Sequence, residues 1–239
     1  MAKEKISLIM PTRERPDNME RIWESAKNTA TESNLLEICF YIDDDDNSSI
    51  EKAKSMSKDK RVKYILGRRI CLSECWNVAY NKLATGTIIM HCGDDIIFRT
   101  KNWDNLVRSE FDKYDDKIVL VFGRDGIHHG NPPKLATHSF IHTNWINQTG
   151  YFVPPYFVSD YNDTWLSEVA QKIGRYVYLN DVYTEHMHFC ARKSTKDKNT
   201  IDRLERHHKE RPDIIYGNKK NERNEDARKL QKFINNLKK

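Results

Sequence analysis

Four short apolar runs constrain this chain more than any other feature. Each is stopped by a charged or polar loop, and amphipathic stretches separate them. They are Lys5 to Met10, Leu36 to Ile42, Val62 to Leu66 and the run from Thr87 that holds Ile88-Ile89-Met90. Between them, Pro16-Asp17 opens a helix to about Thr29 with Met19, Ile22, Trp23 and Ala26 on one face. Ser48 or Ser49 can cap a second helix through Met56, and Ser73 to Leu83 forms a third, closed by Ala84-Thr85-Gly86. Strands alternating with helices imply right-handed crossovers and a parallel sheet. The loops Pro11-Thr12-Arg13-Glu14-Arg15-Pro16, Asp43-Asp44-Asp45-Asp46, Gly67-Arg68-Arg69 and Gly93-Asp94-Asp95 therefore emerge on one edge. In an open α/β sheet, ligands bind at the carboxyl ends of the strands.

Asp94-Asp95 ends the most apolar strand, where two acids have no packing role. Paired carboxylates there suit a hard divalent cation, which takes oxygen ligands and bridges to phosphates. Taken alone, the pair suits a solvated turn that caps the next segment equally well. Asp45 and Asp46 read as solvated.

Beyond this half, Asn102 to Tyr114 reads as a helix and Lys117 to Gly123 as a strand. Arg124 to Pro155 reads as loop, Asp163 to Gly174 as a helix and Tyr176 to Leu179 as a strand. From about Thr195 the chain is polar and helical without a core-like pattern. The expected division is a domain over 1–194, with halves at about 1–123 and 124–194, and a basic helical extension over 195–239. A chain of 239 residues with 38% hydrophobic content supports one large core. No apolar run reaches the roughly 18 residues of a membrane span. The start Met1-Ala2-Lys3-Glu4-Lys5 lacks the apolar segment of a signal peptide, so a cytoplasmic location is expected. Five cysteines, Cys39, Cys71, Cys75, Cys92 and Cys190, form no CxxC pair and read as reduced. From Arg206 onward there are 11 Lys/Arg against 5 Asp/Glu, leaving 29 against 30 in the rest. A basic tail on a neutral body suits an anionic partner such as nucleic acid, or simply a solvated terminal helix.

The order of these motifs resembles the family-2-like glycosyltransferases of GT-A fold. The Pro-Thr loop after the first strand is matched by Ile9-Met10-Pro11-Thr12-Arg13-Glu14-Arg15, and the acids after the second by Ile42-Asp43-Asp44. The metal motif follows a helix bearing an Asn and ending in Ala-x-Gly, matched by Asn77, Ala84-Thr85-Gly86 and Gly93-Asp94-Asp95. Asn162-Asp163, Gly174 and His186 match the family's Glu-Asp, Gly and His. Cys92 stands where many relatives carry a further acid, and Asn162 where they carry Glu. The resemblance covers roughly residues 5 to 190 and implies a Rossmann-like, mostly parallel central sheet flanked by helices.

It also implies transfer of a sugar from a nucleotide-sugar donor, a UDP-sugar first, with Mn2+ or Mg2+ neutralising the leaving diphosphate. Asp95 and His186 would hold the ion, with Asp94 on the ribose or a second metal contact and His188 as fallback. Asp163 would be the base that deprotonates the acceptor in an inverting reaction, with Asp160 its alternative. Read locally, Asn-Asp-Thr makes Asp163 a helix N-cap. Pro11, Thr12, Arg13, Arg15, Asp43, Asp44, Arg68, Arg69, Asn77 and Asp94 would meet the donor, arginine suiting bidentate phosphate contact. The aromatic stretch Tyr151 to Phe157 either stacks on a sugar or base or packs as core. His128, His129, Lys134, His138 and His142 lean towards a polyanionic acceptor. The acceptor is left between a glycan and a modified base in DNA, since the short Lys- and Asn-rich chain suits a bacteriophage product in a host cytoplasm. Two other readings compete: nucleotidyl transfer, which ordinarily needs a Gly-rich loop after the first strand, and a nucleic-acid-binding module without chemistry.

Overall fold

The computed structural model describes residues 3–237. Lys238 and Lys239 of the basic tail lie outside the described residues. The strands are β1 (Ile6–Thr12), β2 (Leu36–Asp43), β3 (Val62–Gly67), β4 (Ile88–His91), β5 (Ile96–Phe98), β6 (Leu120–Arg124), β7 (Ser139–His142) and β8 (Tyr176–His186). The helices are α1 (Pro16–Thr29), α2 (Asn47–Met56), α3 (Leu72–Leu83), α4 (Trp103–Phe111), α5 (Thr143–Thr149), α6 (Asn162–Lys172), α7 (Lys198–Glu210), α8 (Pro212–Asn218) and α9 (Lys220–Leu237).

One sheet runs β3-β2-β1-β4-β7-β6-β8-β5. The β1–β2, β2–β3, β1–β4 and β6–β8 pairs are parallel, and β7 is antiparallel to both β4 and β6. The edge strand β5 returns antiparallel on β8. This is the mixed, mostly parallel α/β sheet expected. Each face carries a separate core. Met19, Ile22 and Trp23 of α1, Ile50 of α2 and Trp103 and Phe111 of α4 cover one face. Trp76 of α3, Trp145 of α5 and Trp165 and Val169 of α6 cover the other. Strands buried on both faces read as continuous apolar runs, which is why β1, β2 and β4 stood out.

The edge of the sheet away from the cleft is tied by Glu37, whose side chain is fully buried. Its carboxylate accepts from Ser7 Oγ at 2.6 Å, Thr85 N at 2.6 Å, Thr85 Oγ1 at 2.8 Å and Gly86 N at 3.3 Å. A Cβ on Gly86 would sit 2.6 Å from the Lys5 carbonyl oxygen, so only glycine lets the helix-to-β4 turn pass.

Several expectations change. The cap of α2 is Asp46, which accepts from Ser49 N at 3.1 Å, so neither serine caps and Asp46 is not solvated. Lys117 takes φ of 58°, which delays β6 to Leu120. The expected loop 124–155 contains β7 and α5. The extension is not without a core pattern: Ala227, Leu230 and Ile234 of α9 are buried in the second core. The aromatic stretch is core too, with Phe152 and Phe157 buried and Tyr151 Oη hydrogen-bonded to Asp226 on α9.

Candidate active site

The loops leaving β1, β2, β3 and β4 meet the start of α6, the end of β8 and one face of α7. Together they line a cleft of about 690 Å³. Asp94 is buried at its floor, and both of its carboxylate oxygens are engaged. Thr12 Oγ1 donates to Oδ2 at 2.7 Å and Arg15 Nη1 to Oδ1 at 3.1 Å. Burial raises its proton affinity above the ordinary carboxylate value, Arg15 opposes this and the charge of Asp95 adds to it.

Asp95 turns the other way. Its Oδ2 lies 3.3 Å from His186 Nε2, where β8 runs antiparallel to β5. Burial would raise Asp95 as well, but the hydrogen bond and charge of His186 outweigh it and hold the carboxylate well below its usual range. Gly93 leaves room for this carboxylate, since a Cβ there would stand 2.8 Å from Asp95 Oδ1.

Asp95 and His186 suit a divalent ion. Two ligands about 2.1 Å from one octahedral ion at right angles stand about 3 Å apart, close to the separation observed. His186 Nδ1 is buried without a protein partner, so the imidazole meets the cleft through Nε2 alone. Among the described residues no group of three or more His, Cys, Asp or Glu could hold a metal ion. Phosphate oxygens and water would therefore complete the shell, as is usual for Mg2+-type sites.

On the opposite wall, Asp163 follows Tyr161, which takes φ of 80° and is the N-cap residue of α6. Asp163 does not cap the helix. It accepts from its neighbour Thr164 N at 2.8 Å and otherwise lines the cleft. Burial raises its pKa to about 6, the Thr164 amide opposes this and the nearby charge of Asp160 adds to it. Asp160 itself is engaged: Arg203 donates to one oxygen and His207 Nδ1 lies 2.6 Å from the other.

At the β2 end, Arg13 Nη1 donates to Asp43 Oδ2 at 2.9 Å and the same guanidinium pairs with Asp45. Arg69 reaches Asp43 at 3.9 Å and Asp202 of α7 at 3.2 Å. Arg15 bridges the floor to α7, donating from Nε to Asp197 at 2.6 Å and from Nη2 to Thr200 Oγ1 at 3.0 Å.

Pro11, Thr12, Arg13, Arg15, Asp43, Arg69, Asp94, Asp95, Asp160, Asp163 and His186 thus share one cleft. Three predicted donor contacts do not line it. Asp44 is exposed beyond the end of β2, and Arg68 is exposed while its carbonyl accepts from Tyr41 Oη at 2.7 Å. Asn77 is structural: its Oδ1 accepts from Phe152 N and Val153 N, and its Nδ2 donates to Val153 O at 2.8 Å. His142 is buried on Glu4 at 2.9 Å, and His138 is buried with its ring 4.6 Å from that of His186. Neither lies on a loop open to a polyanion.

Residues the sequence did not single out include Asp197, Thr200, Arg203 and Arg206 of the extension, all on the cleft wall. Asp125 is another, buried and accepting from His128 Nδ1 at 2.6 Å and Thr137 Oγ1 at 2.6 Å. Asp197 caps α7, accepting from Thr200 N at 2.8 Å, and so holds the start of that helix at the cleft wall.

A twisted, mostly parallel sheet with an acidic pair at the strand ends and a facing carboxylate defines a protein of GT-A fold. The profile of glycosyl transferase family 2 matches residues 7–198, and the chain belongs to that family. Among curated proteins none matches the sequence. Among solved structures it is similar to a mannosyltransferase from Pyrobaculum calidifontis, in complex with GDP-Man and Mn2+ (12% identity, TM-score 0.61). That match covers 78% of this chain and 57% of the other. It is also similar to S. aureus TarS 1-349 in complex with UDP (14% identity, TM-score 0.59, 85% and 71% covered) and with UDP-GlcNAc (13%, 0.59, 77% and 59%). At such identities the likeness is one of fold, and the chain spans little more than half the length of the mannosyltransferase.

Proposed function

We propose that the protein transfers a sugar from a nucleotide-sugar donor to an acceptor hydroxyl with inversion, using a divalent metal ion. The carrying observation is the pairing of two walls in one cleft. Asp95 and His186 stand 3.3 Å apart on one, and Asp163 stands on the other with its pKa raised to about 6. A base poised near neutral pH both ionises and accepts a proton effectively. Asp163 takes the acceptor proton as the acceptor oxygen attacks the anomeric carbon, and the bond from that carbon to the donor's β-phosphate oxygen breaks. Mn2+ or Mg2+ held by Asp95 and His186 would neutralise charge on the departing diphosphate. Asp43 receives the nucleoside, and Arg15 and Thr12 hold both oxygens of Asp94 fixed beside the site. Asp160, held by Arg203 and His207, orients the α6 wall and leaves the base role to Asp163.

A UDP-sugar is the first donor to test, in keeping with the UDP-GlcNAc bound by TarS; the Pyrobaculum relative's GDP-Man is the second. For the acceptor, a glycan hydroxyl is favoured over a modified DNA base. The DNA reading leaned on the basic tail, and four cations there are ion-paired within the fold: Arg211, Lys219, Arg223 and Arg228. The test is thermal shift and donor hydrolysis across UDP-, GDP-, CMP- and dTDP-sugars, with and without Mn2+. A metal-dependent shift with one donor, lost in Asp95→Ala, is expected. No shift with any donor would refute the reading.

A further inference from the structure

Arg206 is carried by α7 from beyond the segment matched by the family profile. Its side chain lines the cleft at the end that holds Asp43, Arg69, Ile70, Leu72 and Cys75. It is half-buried, yet among the described residues no carboxylate stands within ion-pair distance of it. Its Nε reaches only the carbonyl oxygen of Asp202, one turn back on its own helix, at 3.4 Å. The neighbouring contacts of α7 are fully matched: Asp197 with Arg15, Asp202 with Arg69, and Arg203 and His207 with Asp160. The helix is therefore firmly seated, and Arg206 is held where it is rather than left loose on a surface.

A half-buried guanidinium without a counter-ion is unfavourable in the free protein. Here burial and the like charge of Arg69 both weaken its hold on its proton, while Asp202 and Asp43 offset this only in part. Each planar guanidinium presents a fork of N–H donors that phosphate oxygens accept from bidentately, and Arg69 and Arg206 line the same cleft.

We infer that Arg206 and Arg69 together bind a phosphate of the nucleotide, so that the C-terminal extension completes the donor site. This rests on the nucleotide-sugar reading above. It gives the extension a binding role that the family-matched segment alone cannot supply.

The experiment is calorimetric titration of the full chain with UDP, GDP, UMP, uridine and inorganic pyrophosphate, for wild type, Arg206→Gln and Arg206→Lys. Unliganded thermal stability is measured alongside. Charge-assisted contacts of this kind correspond to at least about tenfold in affinity. Arg206→Gln should lose that much for UDP and UMP, keep its affinity for uridine, and be recovered in part by Arg206→Lys. Its unliganded stability should hold or rise, because a like-charge neighbour of Arg69 is gone. A residue that merely supports the fold would lower unliganded stability instead. Unchanged UDP affinity in Arg206→Gln, or an equal loss for uridine, would overturn the inference while leaving the glycosyltransferase reading intact. Pyrophosphate binding as tightly as UDP would also overturn it, as a bare anion site. Wild type that binds neither UDP nor GDP would overturn both.

Discussion

Replacing Asp163 by Asn should make the protein more stable and nearly inactive at once. The ionised carboxylate is held in a half-buried position where its pKa is about 6, against an ordinary value of 3.8. The folded state therefore keeps the proton longer than the unfolded chain does. Below about pH 4 both states are protonated and Asp163 costs nothing. As pH rises towards 6 the unfolded chain ionises first, and above 6 the full cost of the buried charge is present. Two units of displacement correspond to about 3 kcal/mol at most. The carboxylate edge meets cleft water, which screens it, so a gain of roughly 1–2 kcal/mol is expected for the neutral amide. Asn retains an oxygen that can accept from Thr164 N, so no hydrogen bond is lost. For a chain of this length the gain corresponds to a rise in Tm of about 3–6 °C at pH 8, vanishing near pH 4. Transfer should fall by about 10²–10⁴ with donor affinity unchanged, and wild-type kcat/KM should decline as pH drops below 6. Thermal melts of both proteins from pH 4 to 8 decide the matter. A variant no more stable than wild type at pH 8, or equally stabilised at pH 4, would refute the burial argument.

Gly93→Ala should push Asp95 out of place, since the new Cβ would lie 2.8 Å from its Oδ1; Mn2+ binding followed by electron paramagnetic resonance should weaken at least about tenfold with the melting temperature little changed. Asp95→Asn should weaken Mn2+ binding far more than Asp94→Asn, because the oxygens of Asp94 already accept from Thr12 and Arg15; equal losses in the same titration would count against the assignment. Glu37→Gln should cost about 3 kcal/mol in urea unfolding at pH 7, since it leaves Lys5 and Lys63 beside a neutral amide. The hydrogen bonds and lysines bring Glu37 down to about 2 despite its burial. Its stabilisation is thus present above about pH 4.5 and lost as pH falls towards 2, and the difference between variant and wild type should shrink over that window.

The donor half was legible because its signals are local. β1, β2 and β4 are buried apolar runs, β3 is a shorter apolar segment, α1 shows its buried stripe at helical spacing, and each ends in residues that break the pattern. β7 was hidden for the opposite reason. Ser139-Phe140-Ile141-His142 is four residues long and buried throughout, so it shows neither alternation nor an extended apolar run. In α9 the spacing Ala227, Leu230, Ile234 is a helical core stripe. It was masked by buried charge: Arg223 lies against Glu168 and over the Tyr216 ring, and Asp226 accepts from Trp165 Nε1 at 2.9 Å. Within the site, the order of acids and His led to Asp95, Asp163 and His186. Which of two adjacent residues turns inward was beyond the pattern. Asp43 faces the cleft as the last residue of β2 while Asp44 follows outside it, and Arg69 points in while Arg68 does not.

The same distinction governs the basic tail. A count of Lys and Arg measures charge in the chain and not field at the surface, because each intramolecular partner cancels a cation locally. Arg223 is spent on Glu168, and Arg211, Lys219 and Arg228 each sit beside an acid two or three residues away. Asp160 at the cleft rim faces α7, and the arginines in the loops after β1 and β3 answer Asp197 at its N-cap and Asp202 on it in turn. Such pairing across more than a hundred residues of sequence binds the extension to the transferase cleft. What a sequence reads as an appended cationic arm is, in the folded chain, divided: α7 with Arg206 forms part of the cleft wall, and α9 packs against the second core.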